Sequence, residues 1–424
     1  MTRSLLALVL CVAVARADNW PNWRGPANQG HTAEPNLPLK WGAKENVRWR
    51  IPLPDAGNST PVVWGDKVFV TQAIDKTTWP PKGGNGGPAS AETRLLLCFA
   101  RADGKELWRA TVTYKELEST HPTNPFCGAS PATDGERVYV SHGSAGLYCY
   151  DMAGKEVWRH DCGKMEQIWG NASSPILYRD LCILWVGPGV NQVILALNKK
   201  TGQEVWRHTE PGGVSGLGDT KAWVGSWSTP IVVKFGDRDE LVLSVPDKLK
   251  GFDPATGKEL WSCSGLGKLV YTSPLSGKDG VIVAMSGYGG PSLAVKAGGT
   301  GDVTAKRLWH NPKANPQRIG TGAIVGDHLY ILNDTGILVC MEAATGKEVW
   351  SERLGSTWSS VLVSGDWLYV PDKSGTTHVL KAGLKFEPLA TNRLGEGMYA
   401  SLAASDGDVF VRTFKALWCI SEKK

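Results

Sequence analysis

The chain reads as an all-β protein, an eight-bladed β-propeller of four-stranded antiparallel sheets, and three observations predict it. A phrase of the form Gly, Lys or Gln, Glu, an apolar residue and Trp returns along the whole 424-residue chain. Three further strand-like segments separate its copies. A stray copy near the N-terminus lacks the three segments that should precede it, and a stray set of three at the C-terminus lacks the copy that should follow. Self-similarity at a fixed period of this size decides the architecture before any single residue does.

Taken in order, the phrase appears as RADGKELW ending at Trp108, DMAGKEVW at Trp158, KKTGQEVW at Trp206, PATGKELW at Trp261 and AATGKEVW at Trp350. VTAKRLW at Trp309 is a weaker copy, FEPLATN a degenerate one, and ENVRWRIPL around Trp49 keeps only the tryptophan end. We label this outer strand D. An apolar run precedes each copy (GLYCYD, VILALN, GILVCME), as strand C. Upstream lie an alternating strand B (RVYVSHG, HLYILND, DVFVRTF) and a small-residue strand A (GASPATDG, STPIVVKFG, TSPLSGKD). Period-2 alternation, β-branched and aromatic enrichment and Gly/Asp punctuation mark all four as strands. No stretch carries a helical period.

The last A–B–C set, MYASLAAS, DVFVRTF and ALWCISE, has no D strand of its own, and the strand at Trp49 supplies it. That closes the ring and leaves no open sheet edge. Residues 45–424 shared among eight blades give about 48 residues each. The tryptophans Trp49, Trp108, Trp158, Trp206, Trp261, Trp309 and Trp350 are read as wedges between neighbouring blades. Burying an indole there contributes a few kcal/mol per blade.

Residues 1–17 read as a signal peptide: Arg3, an apolar stretch from Leu5 to Val14, and Ala15-Arg16-Ala17 as the cleavage site. Residues 18–44 form an N-terminal extension and 45–424 the propeller. The apolar stretch is too short to span a bilayer, and no later segment qualifies, so an exported, periplasmic or extracytoplasmic chain without a transmembrane segment is expected. Loss of residues 1–17 takes the formal charge from +5 to +3. That balance is too mild and scattered to indicate nucleic acid.

The phrase ALNKKTGQEVWRH resembles the tryptophan-docking repeat of PQQ-like β-propellers, a superfamily of quinoprotein alcohol dehydrogenases and BamB-type outer-membrane assembly factors. WPNWRGP at 20–26 is similar to the opening of exported bacterial proteins of that kind. The resemblance covers essentially the whole mature chain. It is specific for fold and nearly silent about activity.

Quinoprotein dehydrogenases, the resemblance implies, stack the quinone on a vicinal disulfide, bind calcium through Glu and Asn, and use an Asp base. Here Cys98, Cys127, Cys149, Cys162, Cys182, Cys263, Cys340 and Cys419 are never adjacent. No C-x-x-C-H offers a haem acceptor. Cys98, Cys149, Cys340 and Cys419 share one strand C position as small buried hydrophobes, and Cys127 with Cys162 is the pair to suspect of a disulfide. No G-x-S-x-G or H-E-x-x-H occurs. The eight histidines are dispersed without metal-ligand spacing, so no catalytic residue and no metal is assigned.

Propeller topology puts the D–A and B–C connections on one face. The long excursions, 73–93, 112–126, 162–171 and 208–226, all belong to that face, where binding usually lives. His121, Asn124, Trp169, Asn171, Trp227, Trp358 and Tyr399, from D–A connections, should converge on the channel mouth. From B–C turns come Asp247, Lys248, Asn333, Asp334, Asp372 and Lys373; Asp and Asn in such turns also serve simply to satisfy backbone groups. Mixed aromatic and charged groups around a concavity suit a peptide, glycan or small polar ligand. The expectation is a monomeric, non-enzymatic propeller that binds a protein or cell-envelope component, with no cofactor. The alternatives are a PQQ-dependent oxidoreductase using calcium in the same funnel, and a carbohydrate binder using Trp79, Trp169, Trp227 and Trp358.

Overall fold

The computed structural model describes residues 18–77, 87–189, 192–211, 223–287, 290–312 and 318–422. The signal-peptide segment, Trp79 and parts of the 73–93 and 208–226 excursions lie outside the described residues. Eight antiparallel sheets form a ring. Blades 1 to 7 span residues 62–113, 132–160, 176–209, 231–264, 275–311, 323–353 and 362–393, each ordered A-B-C-D from the axis outward. Blade 8 combines residues 403–421 with the N-terminal strand Val47–Pro52, which pairs antiparallel with Ala416–Ser421 and sets Trp49 against Cys419. Among the described residues no helix is long and apolar enough to cross a membrane.

One hydroxyl per blade ties the ring together at its axis. The amides of Thr60, Ser130, Ser174, Thr229, Ser273, Thr321, Ser360 and Ser401 each donate to the side-chain hydroxyl of the next in that order, and Ser401 returns to Thr60, at 2.9–3.2 Å throughout. All eight residues are buried. A buried amide without a partner would cost about 1–3 kcal/mol. The recurrent Ser/Thr at the head of each A strand is therefore a closure device, met once in every blade.

The outer wedges follow a second rule. The indole Nε1 of Trp49, Trp108, Trp158, Trp206, Trp309 and Trp350 donates to a carbonyl in the C–D turn of the following blade at 2.7–3.2 Å. In five of those turns the glycine lies over the indole: a methyl group at Gly104, Gly154, Gly202, Gly257 or Gly346 would come within 3.0 Å of the ring. Turn and wedge are thus one joint, which is why the phrase repeats them together. Trp261 departs from the rule because blade 5 has a longer C–D connection. Its Nε1 donates instead to buried Glu240 of its own blade at 2.8 Å.

Blade 7 lacks a wedge of its own, with Ala390 opposite Val379 where other blades carry Trp. The N-terminal extension supplies the ring from outside: Trp41 stacks on Tyr369 with centroids 6.2 Å apart and planes at 14°. Upstream, the same extension crosses the channel. Trp20 pairs with Val63 of blade 1, and the Pro21 carbonyl accepts from Thr133 of blade 2. Arg24 then donates to the Thr321 and Gly322 carbonyls of blade 6, on the opposite side of the ring. His31–Thr32 finally joins blade 7 beside Leu362–Ser364.

Two expectations need correction. The described parts of the 73–93 excursion are strand: blade 1 has B and C strands of 11 and 14 residues, against five each in blade 2, and Glu118–Thr120 from the 112–126 excursion pairs with Gly87–Ala89. The continued alternation of small and β-branched residues carries the pairing outward. Cys127 and Cys162 are both free thiols, as are the other six described cysteines. Cys127 lies beside Gly57, whereas Cys162 packs against the cluster of Cys182 and Met165. Cys98, Cys149, Cys340 and Cys419 keep their strand C place, directly across from Trp108, Trp158, Trp350 and Trp49. Burial pushes the Cys98 and Cys149 thiols up to about 12, so they are inert fillers.

Candidate functional site

The residue two places before each ring hydroxyl faces the channel on the loop side. Those eight are Asn58, Gly128, Ala172, Trp227, Tyr271, Ile319, Trp358 and Tyr399, and all of them line one cavity of about 320 Å³. Gly128 and Ala172 leave room in blades 2 and 3. His121, Thr123, Asn124 and Trp169, from the preceding loops, enter that room and complete the wall. Trp23, carried across the channel between the blade 2 and blade 6 anchors, lies on the opposite side of the hydroxyl ring and lines the same cavity as its floor. The funnel is open to the loop face and stoppered at its base.

Aromatic groups form two walls. On one, Trp169 meets Trp223 at 5.4 Å and Trp227 at 5.9 Å, and Trp227 meets Tyr271 edge-on at 5.1 Å. The Trp227 Nε1 donates to the Gly170 carbonyl at 2.7 Å, fixing its ring. On the other, Trp358 and Tyr399 lie 4.3 Å apart, with Phe414 behind Tyr399 at 4.8 Å. Asp334 accepts from Trp358 Nε1 at 2.9 Å and from Lys373 Nζ at 2.5 Å, and the ammonium sits 4.8 Å over the Trp358 ring. Burial and the nearby Asp334 charge push the Tyr399 phenol up, so it stays neutral.

The polar edge belongs to blades 1 and 2. Asn58 donates to the Thr123 carbonyl at 2.7 Å, and His121 Nδ1 lies 2.7 Å from Thr123 Oγ1. The Asn124 amide nitrogen donates to the Trp169 and Asn171 carbonyls, both at 2.9 Å. Two carbonyl partners fix which end is nitrogen, and its Oδ1 is buried without a hydrogen-bond partner.

Of the residues expected at the funnel, His121, Asn124, Trp169, Trp227, Trp358 and Tyr399 line it, and Asp334 and Lys373 brace the second wall. The other five do not come together there. Asn171 donates to Glu118, itself buried and paired with Arg94 at 3.0 Å. Asn333 and Asp372 cap their own turns, accepting from Thr335 and Ile337 and from Ser374 and Thr376. Asp247 pairs with Lys268 at 2.7 Å on the surface, and Lys248 continues blade 4 as strand. A tight turn consumes its own Asn or Asp, so B–C turn residues reach the channel only where a neighbouring blade draws them in. Trp23, Asn58, Thr123, Tyr271 and Ile319 were missed. The signal for three of them was the fixed offset from the A-strand Ser/Thr.

Outside the funnel, His208, Glu210 and Glu259 gather within 4.8 Å. Lys250 already holds the centre, at 2.7 and 2.9 Å from Glu210 and 3.0 Å from Glu259. Burial raises the Glu210 carboxyl, but the hydrogen bonds from His208 and Lys250 outweigh it and hold it low. This is an internal ion network rather than a metal centre.

A family description, outer membrane protein assembly factor BamB, matches residues 92–264, 190–303 and 299–384, more than half of the chain. The chain belongs to this family of PQQ-like repeat propellers. Among solved structures, BamB from Moraxella catarrhalis is similar at 18% identity and TM-score 0.52, covering 76% of this chain and 92% of that one. A europium-containing methanol dehydrogenase is similar at 11% identity and TM-score 0.67, covering 94% and 90%. The quinohemoprotein alcohol dehydrogenase from Comamonas testosteroni is similar at 13% and 0.66, covering 97% and 82%. Curated protein sequences include no match to the chain. At these identities the likeness to BamB and to the dehydrogenases is one of fold.

Proposed function

We propose that the protein is an exported, non-enzymatic propeller that holds a protein or cell-envelope component through its loop face, the ligand entering the aromatic funnel. The observation that carries this is the lining itself: among the described residues it comprises fifteen, eight of them at one repeat position, without a carboxylate, an amine or a guanidinium. Such a surface recognises shape, apolar faces and hydrogen-bonding groups. Family membership supports a binding role in the cell envelope, and residues 1–17 have the composition of an export signal.

The quinoprotein reading meets a poor donor set in the same place. Calcium takes carboxylate and carbonyl oxygens, and a tricarboxylate quinone needs cations. Among the described lining residues there is no acid or cationic side chain, and Lys373 behind Trp358 is held by Asp334.

A photo-crosslinking amino acid at Thr123, on the funnel, and at Thr345, in a C–D turn on the other face, tests the proposal in envelope extracts. Adducts concentrated at Thr123 are expected; equal or absent labelling overturns it. Calorimetric titration with PQQ, with and without calcium, should give flat heats, and saturable binding would revive the oxidoreductase.

A further inference from the structure

We infer that the funnel's ligand is a neutral sugar, taken as the end of a glycan; this rests on the loop face being the binding face. The blade order puts the two aromatic walls on opposite sides of the cavity. In a ring of eight, blade 3 faces blade 7 and blade 4 faces blade 8, so Trp169 stands across from Trp358, and Trp227 across from Tyr399. A pyranose has two C–H faces and a rim of hydroxyls. The faces stack on opposed aromatic rings, and the rim turns to whatever polar groups border the cavity.

That border is made of amides, hydroxyls and an imidazole: Asn58, His121, Thr123 and Asn124. Asn124 is the most informative of them. Its nitrogen is fully engaged by two carbonyls, while its buried Oδ1 lacks a donor. Gly128 lets the Asn124 side chain pack in this position, since a methyl group there would come 2.8 Å from that oxygen.

Charge and shape narrow the ligand further. Among the described residues the lining carries no ionic group that would select a phosphate, a uronic acid or an amine. Trp23 closes the base, so a chain cannot thread through and must present a terminus. At about 320 Å³ the cavity admits a monosaccharide or disaccharide end, the small limit of ligand pockets. A proline-bearing peptide loop would also stack on the walls, but it brings no hydroxyl rim for Asn124 and His121.

The test uses the mature chain, residues 18–424, titrated calorimetrically with maltose, cellobiose, N,N′-diacetylchitobiose and a polyproline peptide, alongside a glycan array. Saturable binding of a neutral sugar is expected, weakened at least 10-fold in Trp358→Ala and abolished when Ala172→Trp fills the cavity. Sugar-induced quenching of tryptophan fluorescence gives a second readout should Trp358→Ala fold poorly. No sugar binding, binding undiminished in both variants, or binding of the polyproline peptide alone overturns the inference. Crosslinks retained at Thr123 without sugar binding sink the glycan and leave the binding face intact; loss of both sinks the two together.

Discussion

The amide of Ser401 donates to the hydroxyl of Thr60 at 3.2 Å, joining the last blade to the first across 341 residues of chain. It is the closing link of a ring in which every blade both gives and receives. Replacing Thr60 by Val removes the acceptor and leaves the Ser401 amide buried and unpaired. A loss of about 1–3 kcal/mol is expected, while Thr60→Ser keeps the hydroxyl and costs under about 1 kcal/mol. Denaturant unfolding of both variants checks this. Equal stability of the two would mean that the ring hydroxyls are incidental.

Trp41 predicts a second effect. It fills the wedge place that Ala390 leaves empty in blade 7 and is 3% exposed. Trp41→Ala should cost about 3–5 kcal/mol, as large aromatic truncations in cores do. The indole Nε1 has no hydrogen-bond partner, so Trp41→Phe keeps the stacking without losing a bond and should retain most of that stability. If Trp41→Ala melts like the parent, the extension is not part of blade 7.

Both contacts lie beyond what the sequence made legible. Blade count, ring closure at Trp49 and the wedge role of the repeat tryptophans follow from a pattern repeated in every blade, because each copy must solve the same packing problem. The stopper was not legible. Nothing local to WPNWRGP says that Arg24 will find the Thr321 and Gly322 carbonyls about 300 residues away. The site divides the same way. Trp227, Trp358 and Tyr399 stand out as aromatic residues at a repeat offset. Tyr271 and Asn58 occupy the same offset but precede less regular strands. Asp247, Asn333 and Asp372 misled because a B–C turn reads alike whether its side chain reaches the channel or folds back on its own backbone.

The turn glycines separate backbone strain from collision. Gly202 has φ +73° and lies 2.6 Å, as an added methyl group would, from the Trp158 ring, whereas Gly365 has φ +55° with open space around it. Gly365→Ala meets only the left-handed penalty of about 1–2 kcal/mol. Gly202→Ala adds the displaced wedge, about 1–3 kcal/mol more. Thermal melts of the two should differ by that margin, accompanied by a change in tryptophan emission for Gly202→Ala alone. Matching melts would detach the turn from the wedge.

Acid stability should depend on His142. Its ring is buried edge-on to Tyr148 at 5.6 Å, and burial, aided by the Arg94 charge, lowers its pKa to about 3. In the unfolded chain the same imidazole binds a proton near pH 6.5. Between these values the unfolded state carries the extra proton, so stability falls as the pH drops from 6.5 toward 3. Burial lowers His31 to about 4 and adds to the fall in the upper part of that window. Asp372, pushed up by burial but held low overall by His378, Ser374 and Thr376, contributes only below the ordinary carboxylate range. His142→Phe keeps an aromatic ring against Tyr148 and removes the proton site. Its Tm should therefore decline less steeply than the parent's between pH 6.5 and 4.5, the two curves converging in relative terms at neutral pH. Parallel Tm curves across that window would show that the buried imidazole does not set the acid limit.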